Sequence, residues 1–118
     1  MKLKKVAFSV YPIKDMAKSR AFYEGVLGLA PGEDFNGGWQ EYDLGGTTFA
    51  VSTMISEYVK PGSQSAVSFE VDDVKKYVEQ LKAKGLTLEN DTMETPVCWM
   101  AFVKDPDGNS IGLHQVKQ

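Results

Sequence analysis

The feature that most restricts what this chain can fold into is an internal repeat. Phe8-Ser9-Val10, then Asp15, then Gly28-Leu29 comes back as Phe69-Glu70-Val71, then Asp73, then Gly85-Leu86. Each copy reads strand, capped helix, glycine stop. In the first copy Val6, Phe8 and Val10 alternate with Ala7, Ser9 and Tyr11, the period-two pattern of a strand, and Pro12 is expected to break its pairing. Asp15 is placed to cap a helix from Met16 to about Leu27, because Ser19, Phe22, Tyr23 and Val26 fall at i, i+3, i+4 and i+7 on one face. Gly28 then ends it as a left-handed cap. In the second copy Ala66 to Val71 predicts a strand, Asp72-Asp73 a cap, and Val74, Tyr77, Val78 and Leu81 the same helical face, stopped by Gly85.

Hairpins complete each copy. Residues 29–38, with Pro31-Gly32 and Asn36-Gly37-Gly38, predict at most a short strand near Leu29 and then a loop. Trp39 to Leu44 and Thr47 to Ser52 flank Gly45-Gly46, the spacing of a two-residue turn, and Met54 to Ser65 reads as a connector. Leu86 to Glu89, Val97 to Lys104 and Asn109 to Val116 predict three further strands. The last two are joined by Asp105-Pro106-Asp107-Gly108, where Pro pre-sets φ at the second place and Gly is free to take φ > 0 at the fourth. A type I turn followed by a glycine bulge pairs Asp105 with Asn109. Met100 then lies opposite His114 and Phe102 opposite Gly112, with Cys98 diagonal to His114 at roughly 7–8 Å and on its face. The Gly45-Gly46-Thr47-Thr48-Phe49-Ala50 stretch corresponds to Asp107-Gly108-Asn109-Ser110-Ile111-Gly112 in the second copy.

The chain is therefore expected to hold two β-α-β-β-β modules, about 1–58 and about 66–118, joined by a connector at about 54–65, within a single domain. Neither module buries enough apolar surface to stand alone, so they pack on each other or on a second chain. The 118 residues, 42% hydrophobic and 25% charged, have the composition of an ordinary globular domain. A net charge of −3 with interspersed signs offers no broad attraction for nucleic acid or acidic lipid. No run is long or apolar enough for a signal peptide or membrane span, and a single cysteine agrees with a reducing compartment, so a cytoplasmic protein is expected.

With Ala21-Phe22-Tyr23 before Leu27-Gly28-Leu29, Phe69-Glu70-Val71-Asp72-Asp73 before a helix, and a final Asp105-Pro106-Asp107-Gly108-Asn109, the two modules resemble the vicinal oxygen chelate superfamily over nearly the whole chain. That group includes glyoxalase I, extradiol ring-cleaving dioxygenases, fosfomycin-resistance transferases and bleomycin-binding proteins. The resemblance implies an α+β fold in which the two modules form a curved, cup-like mixed sheet with helices outside. It also implies metal ligands projecting inward from the first and last strands of each module, a small-molecule ligand and a homodimer.

The ligand positions are where the chain departs from that pattern. Aligning Phe69 and Val71 with the superfamily's His-x-x-Phe-x-Val-x-Asp puts Ala66 in place of the histidine, and Gly112 stands where a glutamate follows the Asp-Pro-Asp-Gly turn. Their counterparts in the first module are Ala50 and either Lys5, by the repeat, or Phe8, counting back from Asp15. None of these side chains ligates a metal in its ordinary state, and with one histidine in the chain a two-histidine facial triad is excluded. No cofactor is expected. A divalent metal held by other residues, such as Glu41, Glu70 or Glu94, is the alternative.

Strand alternation puts Ser110, Gly112 and His114 on one face, which in the superfamily lines the cup, and the hairpin register adds Cys98, Met100 and Phe102. A thiol and an imidazole converging there would make an activated nucleophile, so Cys98 and His114 are the candidate catalytic pair. The opposing reading is a buried structural cysteine and a hydrogen-bonded histidine. Met100, Phe102, Gly112, Trp39 and Tyr42 are the candidate pocket residues, the aromatics offering stacking surfaces. Trp99 falls on the opposite face, and Arg20 belongs to a charged helix surface.

The expected function is a glyoxalase/bleomycin-resistance-like protein that binds a small organic molecule without the superfamily's metal, with catalysis left open. The alternatives are a metal-dependent lyase, isomerase or dioxygenase of the same superfamily, and a drug-sequestering resistance protein.

Overall fold

The computed structural model of the protein describes residues 1–2, 4, 6–57, 60–62, 66–88 and 91–118. The chain divides into two units, Met1–Gly62 and Ser63–Gln118, and both are built to one plan. The first contains β1 (Ser9–Pro12), α1 (Met16–Arg20) running directly into a π-helical stretch (Ala21–Val26), β2 (Pro31–Phe35), β3 (Trp39–Leu44), β4 (Thr47–Ser52) and a 3-10 turn (Met54–Glu57). The second contains β5 (Ala66–Glu70), α2 (Val74–Ala83), β6 (Met93–Glu94), β7 (Cys98–Lys104) and β8 (Ser110–Val116). The sheet orders are β1-β4-β3-β2 and β5-β8-β7-β6. In each the first strand runs parallel to the last and the other pairings are antiparallel. This is the α+β class in its β-α-β-β-β form, written twice. Among the described residues no helix is long and apolar enough to cross a membrane.

The local signals act where the sequence places them. Asp15 Oδ1 accepts the Lys18 N–H at 3.1 Å, and Asp73 Oδ1 accepts that of Lys76 at 3.1 Å, satisfying donors that a helix start leaves unpaired. Gln115 Oε1 takes a further one, from Val74, at 2.9 Å. Gly45 and Gly46 both hold positive φ, 64° and 86°, so the β3–β4 turn twists with its strands. At the β7–β8 turn the buried Asp105 accepts N–H groups from Asp107 (2.9 Å) and Asn109 (2.8 Å) and the Asn109 side-chain amide (2.9 Å).

Three elements differ from expectation. β1 begins at Ser9 and includes Pro12, while Val6 is 80% and Phe8 46% exposed. The strand lies at a sheet edge and Ile13 N–H bonds Ser52 O at 3.0 Å, so alternation turns the position of the missing Pro12 N–H outward, where it removes no ladder bond. Residues 31–35, expected as loop, form the edge strand β2, paired irregularly with β3 and exposed throughout. A strand with both faces wet carries no alternation to read. The two-residue β6 lies at Met93–Glu94, and residues 86–88 are not strand; Glu89 lies outside the described residues. Lys5 does too.

Each helix covers one face of its own sheet. In the first unit Phe22 and Tyr23 pack with Tyr11, Tyr42, Phe49 and Val51, with the Tyr23 and Phe49 rings 5.4 Å apart and Tyr42 and Phe49 stacked at 6.3 Å. In the second, Val74, Val78 and Leu81 join Ala101, Val103, Ile111 and Leu113 in the buried core. Alternation then sends the neighbouring residues of every strand to the other, helix-free face.

One ionic cluster closes the first core. Arg20 grips the Glu24 carboxylate with two hydrogen bonds (2.6 and 3.1 Å), and Tyr42 donates its hydroxyl to the same group at 2.9 Å. The Arg20 hydrogen bond holds Glu24 below its ordinary value of 4.5, with the Tyr42 hydroxyl adding to it, while burial and the Glu24 carboxylate push the Tyr42 phenol well above its own. A depressed folded-state value means stability that is present above the unfolded value and lost as pH falls through the folded one. Urea unfolding at about pH 7 and about pH 3 is therefore expected to show a smaller acid loss for Glu24→Gln than for the native chain.

Candidate functional site

The helix-free face of the second sheet gathers most of the residues the sequence singled out. Pairing places Met100 opposite His114, Phe102 opposite Gly112 and Cys98 opposite Val116, the register expected from the Asp105–Gly108 turn. On the parallel side Ser68 lies beside Gly112 and Glu70 beside His114, and across β7 Met93 lies opposite Met100. Gly112, Met100, Phe102, His114 and Cys98 thus share one face with Ser68 and Glu70.

The hydrogen bonds on that face do not join Cys98 to His114. His114 Nδ1 sits 2.6 Å from Glu70 Oε1, and the other carboxylate oxygen accepts the Val116 N–H at 2.8 Å. Both bonds hold Glu70 below the ordinary carboxylate value, His114 being the larger influence. Glu70 is therefore an acceptor, and the imidazole must donate from Nδ1. Cys98 is 5% exposed and faces Thr95, whose hydroxyl is 3.1 Å from Sγ. That hydroxyl also accepts the Cys98 N–H at 3.0 Å and the Val97 N–H at 3.2 Å, so the thiol belongs to the turn that starts β7. Glu70 was foreseen only as an alternative metal ligand and Thr95 not at all. The parallel β5–β8 register that creates the first partnership has no local sequence code, whereas the hairpin register has one.

The superfamily's metal can be tested against the side chains present. A Cβ added to Gly112 would come 2.2 Å from Ser68 Oγ, 3.0 Å from Ser68 Cβ and 3.1 Å from Phe102 Cε1. The serine and the phenylalanine ring fill the space a ligating glutamate would start from. In the first unit Ala50 occupies the repeat position and is fully buried, paired with Val10 and Glu41. Equating Val10–Ala50 with Ser68–Gly112 makes Phe8 the counterpart of Ala66. Among the described residues no three His, Cys, Asp or Glu side chains are grouped to hold a metal. These residues do not fit the superfamily's ion.

The two aromatic candidates of the first unit separate. Tyr42 is 0% exposed on the helix side, sealed by Phe49 and Glu24, which corrects its expected place in a pocket. Positions 39 and 42 are three apart on one strand and so point to opposite faces, a parity available from sequence. Trp39 stays on the helix-free face, with Phe8 edge-on at 5.0 Å and its indole N–H donated to Glu41 at 3.0 Å. Phe35, Trp39, Glu41 and Met54 line a groove of about 320 Å³. Trp99 lies opposite Cys98's face, as expected, under the Lys75 ammonium at 4.0 Å and that of Lys117 at 5.0 Å. Arg20 is a partly exposed ion-pair member.

Two outcomes follow from this geometry. Gly112→Glu is expected to destabilise the protein by about 1–3 kcal/mol through overpacking, read in a urea melt, and to recover no metal affinity in a zinc titration. Cys98 is expected to react with a maleimide only as fast as the Thr95 turn opens, so that Thr95→Ala raises the labelling rate severalfold; reaction at the rate of a small free thiol would contradict the burial.

Comparison with other proteins agrees with the architecture. Residues 5–113 match the family model of the Glyoxalase/Bleomycin resistance protein/Dioxygenase superfamily. A probable lactoylglutathione lyase of Vibrio cholerae serotype O1 is 25% identical over 127 residues, covering 97% of this chain and 92% of that protein. The crystal structure of TnmS3, an antibiotic binding protein from Streptomyces sp. CB03234, superposes with a TM-score of 0.84 at 27% identity, covering 99% of each chain. A glyoxalase/bleomycin resistance protein from the same organism gives 0.80 at 28% identity, covering 94% of this chain and all of the other. With the repeated module, its strand order and a match across nearly its whole length, this chain belongs to the Glyoxalase/Bleomycin resistance protein/Dioxygenase superfamily.

Proposed function

We propose that this protein binds a small organic molecule on the helix-free faces of its sheets, without the metal its superfamily uses. The observation that carries this reading is the filled ligand position: Ser68 and Phe102 occupy the space beside Gly112 from which a coordinating carboxylate would extend. What the faces offer instead is apolar and polarizable surface. Met93, Met100 and Phe102 supply it in the second unit, and the Phe8–Trp39 pair with Phe35 and Met54 in the first. Thioethers and aromatic rings suit a flat, largely apolar ligand, gaining both dispersion and desolvation.

Sequestration of a drug-like compound is the form of binding favoured by the likeness to TnmS3, which is described as antibiotic binding. The protein acts in this reading as a cytoplasmic homodimer with no nucleic-acid or membrane partner. Its single cysteine and mildly acidic balance support that setting.

Thermal-shift screening with planar aromatic drugs is the direct test. A ligand at a hundred times its Kd is expected to stabilise the native chain by about 2.7 kcal/mol, raising Tm with concentration, and Trp39→Ala or Phe102→Ala is expected to reduce the shift. Metal analysis of protein purified without chelators should find no stoichiometric divalent ion. One ion per chain, displaced by substituting residues of these faces, would overturn the reading in favour of a metal-dependent lyase, isomerase or dioxygenase.

A further inference from the structure

The bond between Glu70 and His114 has a direction that the fold enforces. Glu70 is tied at both oxygens, by the imidazole Nδ1 at 2.6 Å and by the Val116 N–H at 2.8 Å. The carboxylate cannot turn away without releasing a backbone donor. The main chain of His114 is tied to the same β5 edge, since its backbone carbonyl accepts the Val71 N–H at 2.8 Å. An ionised carboxylate accepts and never donates, so Nδ1 carries the proton and Nε2 is left with a lone pair. Nε2 has no hydrogen-bond partner among the described residues, and the His114 side chain is 31% exposed. A carboxylate that fixes the tautomer of an imidazole also stabilises the imidazolium that forms when Nε2 takes a proton.

The surroundings narrow what could deliver that proton. Next to His114 on this face stand Met100 across the hairpin, Gly112 and Val116 along its own strand, and Ser68 two residues before Glu70. Beside these neighbours Glu70 is the charged group on the face, while Asp72, Glu94 and Lys117 line the groove that Glu70 and Val116 share. Apolar surface beside a proton acceptor suits an apolar molecule with one acidic hydroxyl. An aliphatic alcohol is far too weak an acid for imidazole, and a carboxylic acid is already ionised near neutrality. A phenol made acidic by electron-withdrawing substituents matches the acceptor.

We propose that Glu70 and His114 form a proton-accepting pair for an acidic phenol bound on the helix-free face of the second sheet. The step is a single proton transfer. The O–H bond of the ligand breaks with its electron pair left on oxygen, an N–H bond forms at Nε2, and the imidazolium lies between the phenolate and the Glu70 carboxylate. His114 touches the ligand, and Glu70 acts through His114 as a positioning residue. The proposal rests on the small-molecule reading above and names the ligand class for this face.

The chain has one histidine, so a nitrogen-15 spectrum of the labelled full-length protein contains one imidazole. In the ligand-free native chain Nδ1 is expected to be protonated and Nε2 bare at mildly alkaline pH. Glu70→Gln should return the ring toward the Nε2–H form that free histidine favours. The probe is 4-nitrophenol, whose visible band reports its ionisation. At fixed pH the native chain is expected to raise the phenolate fraction severalfold and to protonate Nε2. The rise should vanish in His114→Gln and shrink in Glu70→Gln, with backbone amide spectra confirming that both variants fold. An Nε2–H tautomer in the free native chain, or a phenolate rise that survives His114→Gln, overturns the pair. A phenol that moves the Met100 and Phe102 amides while staying neutral also overturns it, yet leaves small-molecule binding standing. If neither 4-nitrophenol nor the drug panel moves an amide on either sheet, the binding reading falls, and this one with it.

Discussion

A four-stranded sheet with one helix has one face that the helix covers and one that it does not. That constraint organises both units of this protein. Strand residues alternate between the faces, so each side chain's fate is decided by parity and by register against its neighbours. Ala101, Val103, Ile111 and Leu113 are sealed in the α2 core, while Met100, Phe102, Gly112 and His114, one position away along the same strands, are turned to the other side. A one-residue slip of β7 against β8 would exchange the two sets. The Asp105 network, with three donors converging on a buried carboxylate at the turn, prevents it.

The helix-free faces are not dictated by packing against the helices. On the second sheet's face of this chain, the space beside Gly112 is filled. Ser68 and Phe102 stand so close to Gly112 that even a methyl group there would clash unless they shifted. The imidazole two residues on is engaged by Glu70, and the one thiol by Thr95. The polar side chains His114 and Cys98 are thereby each engaged by a hydrogen-bonding neighbour on the sheet.

Much of this was legible in the residues, for identifiable reasons. The capped helices, the Gly45-Gly46 turn and the β7–β8 register are local devices, each written in a few adjacent positions. β2 and β6 were not legible: one is exposed on both faces and so has no alternation, and the other is two residues long. Pro12 read as a breaker because sequence does not say which side of a strand faces outward at a sheet edge. The separation of Tyr42 from Trp39 is legible in the sequence, since a distance of three along one strand puts the two on opposite faces.

The sequence by itself determined the repeated module, the superfamily resemblance and the vacancy at Gly112, because these depend on short-range spacing and on residue identity. The tertiary structure alone decided what the vacancy became. Whether His114 meets Cys98 or Glu70 depends on how β5, more than forty residues earlier in the chain, aligns beside β8. That parallel register is set by the whole core and by no local turn. The hairpin brought Cys98 within diagonal reach; the parallel ladder put a carboxylate directly beside the ring, and a charge-assisted hydrogen bond to an adjacent acceptor outcompetes a thiol across the diagonal.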